Sequence, residues 1–429
     1  MKVTYPMYEM MHLALAPSRA LSDYTRLLFK NPLNPWTYTP VGRNIAASAE
    51  LFERMTRRYG KPVFGLDHTT VDGRTLAVTE TPVWERPFCK LLHFKKHDDG
   101  GAAPRSRMLV VAPLSGHYAT LLRGTVDALL PHFDVYVTDW ADARMVPLAM
   151  GKFDLDDYIG YLIDILRVLG GEGVPVHTLG VCQPAVPLII AAAHMEKTGD
   201  PLHPTSMTLM GGPIDTRCSP TAVNQLAVER GTEWFRENCL ETVPFPYPGM
   251  GREVYPGYLQ LSGFMAMNMD RHVGAHQDMF YHLVNGDGDS AEKHRDFYDE
   301  YMAVLDLTAE YYMQTIEQVF VRQSLPKGEF VYAGDRIDLG DIRRTALMTV
   351  EGEKDDISGV GQTNAAQRLC RNLPDALKLH YLQPGVGHYG VFNGSRYRKE
   401  IVPRMVEFAR RVERAGETST VIPLRSRAV

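Results

Sequence analysis

The 429-residue sequence predicts an α/β fold, a mostly parallel sheet covered by helices on both faces. Three observations carry that expectation. Short apolar or β-branched runs alternate with helical patterns from Met108 to Met210, and the alternation resumes at Thr345. One strand, Val176–Leu179, enters a helix through the tight sequence Gly180-Val181-Cys182-Gln183-Pro184. Two later strands end in turns that present Asp355 and His388.

Met1 to about Tyr59 reads as helical, with Tyr, Met and Leu at three- and four-residue spacing and breaks at Pro17 and NPLNPW. From Pro62 the period changes. Thr75–Thr81 and Phe88–Phe94 read as strands separated by Pro82 and Pro87. A loop rich in Asp, Gly and Pro, His97–Pro104, leads to Met108–Ala112, whose unbroken apolar run suits a fully buried strand. Helix Ala119–Leu130, strand Phe133–Thr138, helix Leu155–Leu169, strand Val176–Leu179, helix Gln183–Lys197 and strand Ser206–Met210 follow.

Gly211 to about Arg344 breaks this alternation with PFPYPGMGREVYPGY, the Met-rich GFMAMNMDRH and helical sequence over Leu307–Phe320. It reads as a cap inserted into the sheet domain. The Met and aromatic residues of Tyr247–Met269 are expected to pack the cap core or to line an apolar substrate surface. Strand Thr345–Val350, helix Gly361–Cys370, strand Leu377–Leu382 and a closing helix, Tyr397–Val412, complete the sheet domain. The expected organisation is therefore an N-terminal helical extension (1–60), core (61–212), cap (213–344), core again (345–415) and tail (416–429).

Composition excludes several classes. Hydrophobic residues at 45% and charged residues at 23% argue against a disordered or fibrous chain. A net charge of −5 without a basic block leaves nucleic acid no electrostatic footprint. Cys89, Cys182, Cys218, Cys239 and Cys370 show no C-x-x-C spacing, which argues against a zinc or dithiol motif and fits a reduced compartment. The N-terminus lacks the pattern of a secretory signal, and no run nears the ~20 apolar residues of a membrane span. A soluble cytoplasmic protein is expected, with peripheral attachment and a homo-oligomer both open.

The strand-turn-helix at Cys182 half-matches G-x-S-x-G, the nucleophile elbow of the α/β-hydrolase fold. Cysteine replaces serine, and Pro184 stands where the second glycine usually does. By itself the window also fits a buried structural cysteine. Chain order adds weight, because this fold places nucleophile, acid and histidine in that sequence. TVEGEKDD sets Asp355 at a strand end, with Asp356 as the adjacent alternative, and the Pro384–Gly390 turn presents His388 after LKLHYLQ. Cys182, deprotonated by a His388 that Asp355 holds, would attack an ester or thioester carbonyl. Thiols ionise beside histidine more readily than hydroxyls do. The oxyanion is expected to meet the N–H of Gln183 and, because Pro113 has none, the N–H of Leu114.

Competing motifs are weaker. Gly385, Gly387 and Gly390 fit G-x-G-x-x-G, but His388 stands in the middle and Asn393-Gly394 precedes the helix, which argues against a dinucleotide site. His272 and His276 share i,i+4 spacing with His282 beyond, yet lack the glutamate of H-E-x-x-H, so a cap or surface helix is expected and no metal. Asn285–Asp289, NGDGD, reads as a turn without the distal glutamate of a calcium loop.

From about Tyr5 to Val412 the sequence resembles the intracellular polyhydroxyalkanoate (polyhydroxybutyrate) depolymerases of bacteria. The resemblance is carried by VAPLSGHYATLLRGTV, VYVTDWADARMVPLAMGKFDLDDYI, LGVCQPAVP, LTAEYYMQTIEQVFVRQSLPKGEF, TVEGEKDDISGVGQT and GVGHYGVFNGSRY. It implies Cys182 as nucleophile, Asp355 as acid and His388 as base, and it makes Pro184 a family trait. It also implies hydrolysis of stored polyester to 3-hydroxybutyrate oligomers or monomer at cytoplasmic granules, without a cofactor. The polyhydroxyalkanoate synthases share the cysteine and the triad order, but their G-x-C-x-G-G box departs from Gly180–Ala185 here. A synthase-like acyltransferase, a non-catalytic granule-binding protein and a small-ester or dienelactone-type hydrolase are the alternatives.

Overall fold

The computed structural model describes residues 4–98, 106–267 and 269–420. The chain opens with helices α1 (Tyr5–Ala14), α2 (Ala16–Lys30) and α3 (Pro40–Thr56). Pro17 lies in the first turn of α2, where a missing N–H costs nothing, and the Thr39 side chain caps α3 by accepting from the Gly42 N–H.

The central sheet begins with β1 (His68–Val71), β2 (Arg74–Arg86) and β3 (Cys89–Lys96). Strands and helices then alternate through β4 (Arg107–Val111), α4 (Arg123–Leu129), β5 (Asp134–Trp140), α5 (Leu155–Gly170), β6 (Val176–Val181), α6 (Ala185–Lys197) and β7 (Ser206–Met210). Next come α7 (Ala222–Cys239), β8 (Glu241–Thr242), β9 (Glu253–Tyr255), α8 (Gly257–Met267), α9 (Met269–Asn285) and α10 (Gly288–Tyr301). They are followed by β10 (Leu307–Thr308), α11 (Ala309–Thr315), β11 (Val331–Tyr332) and β12 (Asp335–Arg336). The chain returns to the sheet with β13 (Ala346–Gly352), α12 (Ala365–Leu369) and β14 (Lys378–Gln383), and closes with α13 (Gly394–Arg396) and α14 (Val402–Thr420).

The sheet has nine strands in the order β1-β2-β3-β5-β4-β6-β7-β13-β14. The first three strands pair antiparallel with their neighbours, and every pair from β5 to β14 is parallel. Among the described residues, the segment between β7 and β13 adds no strand to this sheet. Its strands form a separate three-stranded sheet and a two-stranded hairpin.

Local differences from the sequence reading have physical causes. β1 is too short for its burial alternation to register in the sequence. β2 runs through Pro82 to Arg86 because β1 covers only Arg74–Ala77, so the missing proline N–H falls on an unpaired edge beside a register shift. The helix expected at Ala119 begins as a 3-10 turn, Ala119–Leu122. The closing helix continues to Thr420, past the expected Val412. Residues 421–429 of the expected tail, and most of the expected His97–Pro104 loop, lie outside the described residues.

The core explains why α6 looks unlike a surface helix. Every residue from Ala185 to Ala193 is buried, as a helix apolar on all sides must be, and α6 packs against α5, β6 and β7. α5 is fixed at its start by a reciprocal capping box between Asp154 and Asp157. In register, Val111 pairs with Gly180, Val181 with Met210, Met210 with Val350 and Gly352 with Gln383. The loops leaving β4, β6, β7, β13 and β14 therefore emerge side by side at the carboxyl edge, where ligands bind in sheets of this kind.

Candidate active site

The turn after β6 is built around one unusual backbone conformation. Cys182 has φ +65°, a left-handed value that costs a non-glycine residue free energy and persists only where its surroundings impose it. The Cys182 N–H still donates to Met210 O (2.7 Å), and its carbonyl accepts from the Ala185 N–H (3.1 Å). The strand ladder thus holds one side of the turn and the helix holds the other. Gly180 is needed below it, because a Cβ there would lie 3.1 Å from Leu188 Cδ2. Pro184 has φ −53° and caps α6 from just outside the helix, a position where proline's fixed φ fits. The second glycine of the usual elbow is not needed for backbone conformation here.

His388 and Asp355 meet across two neighbouring strand ends. The His388 Nδ1 lies 2.8 Å from Asp355 Oδ2, with both side chains buried. Asp355 Oδ1 accepts from the Ile357 and Ser358 N–H groups at 2.9 and 2.8 Å. Its neighbour Asp356 is exposed. The two loops are tied together by Glu353 N–H to Gln383 O (3.0 Å) and Lys354 N–H to Val386 O (2.9 Å). Burial opposes a positive charge on His388, but the charges and hydrogen bonds of Cys182 and Asp355 outweigh it and hold the imidazole pKa well above its ordinary value.

Cys182 and His388 line a cavity of about 170 Å³ whose walls are largely apolar, Leu121, Phe264, Leu307 and Phe392 among them. Leu114 and Gln183 line the same cavity. Among the described residues, neither backbone N–H has a protein acceptor. Trp140 Nε1 donates to Ala112 O (2.8 Å), anchoring the end of β4 just before Leu114. Five positions predicted from sequence, Cys182, Asp355, His388, Gln183 and Leu114, are therefore brought together at one carboxyl-edge site.

Several site residues escaped the sequence reading. Gly211 has φ +54°, and a Cβ there would press within 3.3 Å of both Asp355 Oδ2 and His388 Nδ1. At Gly212 a Cβ would meet Ala185 Cβ at 2.2 Å. Their signal was visible as a glycine pair directly after a strand. Gln260 carried none, lying in the short segment just before the Met-rich stretch. Its Nε2 contacts Ser115 O in the loop after β4. Phe320 reaches the cavity because α11 continues as a π-helical turn, Ile316–Val321.

The weaker motifs have structural roles. His276 Nδ1 lies 2.7 Å from His272 O and His272 Nδ1 2.9 Å from Tyr298 Oη, while Asp287 caps α10 by accepting from the Ser290 N–H. Among the described residues no group of three or more His, Cys, Asp or Glu side chains is arranged to hold a metal ion. No described helix is long and apolar enough to cross a membrane.

Sheet order, elbow and strand-end pair define an α/β-hydrolase. Residues 211–413 match the family model described as PHB de-polymerase C-terminus, a match that supports a PHB depolymerase-type α/β-hydrolase and ester hydrolysis. No curated protein matches the chain. Similar solved structures include a soluble variant of monoglyceride lipase from Saccharomyces cerevisiae, with 13% identity, 83% of this chain and 98% of that chain covered, and a TM-score of 0.45. A putative lipase from Acinetobacter baumannii AYE has 14% identity, coverage of 79% and 93%, and a TM-score of 0.41. A thermophilic esterase from Thermogutta terrifontis has 12% identity, coverage of 81% and 97%, and a TM-score of 0.39.

Proposed function

We propose that the protein hydrolyses polyhydroxyalkanoate, poly(3-hydroxybutyrate) in particular, through an acyl-cysteine on Cys182, releasing 3-hydroxybutyrate oligomers or monomer. The observation that carries this reading is the buried His388–Asp355 pair beside Cys182 in an apolar cavity, within a chain whose residues 211–413 match the PHB de-polymerase C-terminus model. Asp355 engages His388 Nδ1 and leaves Nε2 for the thiol. Nε2 has taken the Cys182 proton to form an imidazolium–thiolate pair before Sγ bonds to the ester carbonyl carbon, and the N–H groups of Gln183 and Leu114 meet the oxyanion that forms as the C=O double bond opens. Collapse of the adduct breaks the ester C–O bond, and the leaving alkoxide takes the proton from His388. Water then gives a proton to His388 and attacks the acyl-cysteine, which releases the acid and restores the thiol. This chemistry uses only the chain's own groups and water.

Residues 213–344 serve as a cap over that site, inserted between core segments 61–212 and 345–415. Support comes from Gln260, Phe264, Leu307 and Phe320, which share the cavity wall with Cys182 and His388. The extension over 1–60 brings the enzyme to cytoplasmic granules. Its Met10, Leu13, Leu21, Tyr24, Leu27 and Trp36 are each more than half exposed, an apolar concentration that a polyester surface would cover.

Amorphous poly(3-hydroxybutyrate) granules incubated with the protein should lose turbidity and release acid, and Cys182→Ala should abolish both. Granules that stay turbid, or clearing that survives Cys182→Ala, would overturn the reading. Polymer growth with free coenzyme A from 3-hydroxybutyryl-CoA would identify an acyltransferase instead. Granule binding without acylation of Cys182 would identify a non-catalytic binder.

A further inference from the structure

Asp355 sits in a loop that a second buried carboxylate closes. Glu351, the penultimate residue of β13, is 1% exposed. Its Oε1 accepts from the N–H groups of Gly361 (3.0 Å), Thr363 (2.8 Å) and Asn364 (2.8 Å), and its Oε2 lies 2.9 Å from the Gly361 nitrogen. A carboxylate taken out of water is tolerated where several donors converge on it, and here all three come from the far end of the loop. Gly361 turns the chain toward it with φ +97°, a left-handed value that suits glycine. The segment 352–360 is therefore tied off at both ends on one side chain.

Two routes lead from this closure to the reacting groups. Inside the loop, the Ile357 and Ser358 N–H groups hold Asp355 Oδ1 while Oδ2 meets His388 Nδ1. At its far end, the buried Thr363 hydroxyl accepts from the Gly212 N–H (2.7 Å) and donates to Gly212 O (3.0 Å). Gly211, one residue earlier, is where a Cβ would press on Asp355 Oδ2 and His388. Glu351 does not line the cavity, so its effect on the reaction passes through the loop. We infer that Glu351 is a positioning residue for ester hydrolysis: by closing the loop over 352–360, and through Thr363 tying it to Gly212, it fixes the Asp355 carboxylate against His388 Nδ1. This rests on the reading of Cys182, His388 and Asp355 as a triad.

Hydrolysis of p-nitrophenyl butyrate by the wild type, Glu351→Gln, Asp355→Asn and the double variant tests it. Glutamine keeps the size of the side chain but sets an NH2 group where the Gly361 N–H needs an acceptor. In Glu351→Gln kcat should fall by about 10- to 100-fold, the cost of a displaced catalytic group, with KM unchanged within about twofold. Because Glu351 acts through Asp355, the double variant should match Asp355→Asn within about twofold. A residue that only supports the fold would slow both backgrounds by the same factor, and that result overturns the inference. Thr363→Val leaves Glu351 in place and removes only the hydroxyl bonds to Gly212, so it should show the same loss in kcat alone. A wild-type kcat in either single variant, or loss of the cooperative unfolding transition in both, also overturns the inference and leaves the hydrolase intact. If Asp355→Asn is as active as the wild type, the triad reading fails and takes the inference with it.

Discussion

At the scale of single residues, the decisive contact is between His388 and Asp355. Against the cost of burial, Cys182 and then Asp355 raise the pKa of His388, so the imidazolium stabilises the fold fully below the unfolded value of about 6.5, and that contribution is lost as pH rises through the folded value. A nuclear magnetic resonance titration of labelled histidine should find the His388 midpoint above 6.5. Asp355→Asn removes the facing charge, so it should lower that midpoint and reduce kcat by about 10²- to 10⁴-fold. A midpoint unmoved by the substitution would show that Asp355 does not set the histidine's charge. The sequence pointed to Asp355 at the strand end, with Asp356 as the adjacent alternative. Two N–H groups, Ile357 and Ser358, turn the Asp355 carboxylate inward, and no spacing rule encodes that turn.

Among the elements, the β6–α6 unit was the most legible, because strand, turn and helix are contiguous and each shows its own period. The sequence offered no reason for Pro184. The backbone does: φ −53° is the value proline imposes, and the position precedes the helix. Pro184→Ala should therefore lower stability by about 0.4–1 kcal/mol, chiefly by freeing the unfolded chain. Urea unfolding checks this, and an unchanged or higher midpoint would refute it. Elements further along were harder to read. α8 carries apolar residues on every side apart from Gln260 and Ser262, so periodicity could not show that Gln260 and Phe264 line the cavity while Tyr258 packs on Tyr5 and Tyr8.

Across the whole molecule, a buried polar cluster ties distant parts together. Tyr5 Oη donates to Asp306 Oδ2 (2.7 Å), Arg144 Nε pairs with Asp142 Oδ2 (2.7 Å), and the Asp306 N–H donates to Asp142 Oδ1 (3.1 Å). The N-terminal helix, the loop after β5 and the strand entering α11 thus share one network. Burial and the adjacent Asp142 carboxylate push Asp306 up to about 7. A raised carboxyl pKa means that the folded protein holds a proton the unfolded chain has lost. Stability should therefore fall as pH rises from about 4 to about 7, and Asp306→Asn should flatten that slope. Chemical unfolding at several pH values measures it, and an identical slope in the variant would exclude Asp306 as its source.

The sequence by itself determined the α/β alternation, the elbow at Cys182 and the strand-end placement of Asp355 and His388, because these features are local in the chain. Tertiary structure decided which carboxylate faces His388 and why glycines stand at 211 and 212. It also decided which side chains of 213–344 reach the cavity. Those choices depend on contacts between segments far apart in sequence, such as Gln260 with Ser115 and Tyr5 with Asp306. No local pattern records a packing surface that forms only when the segments meet.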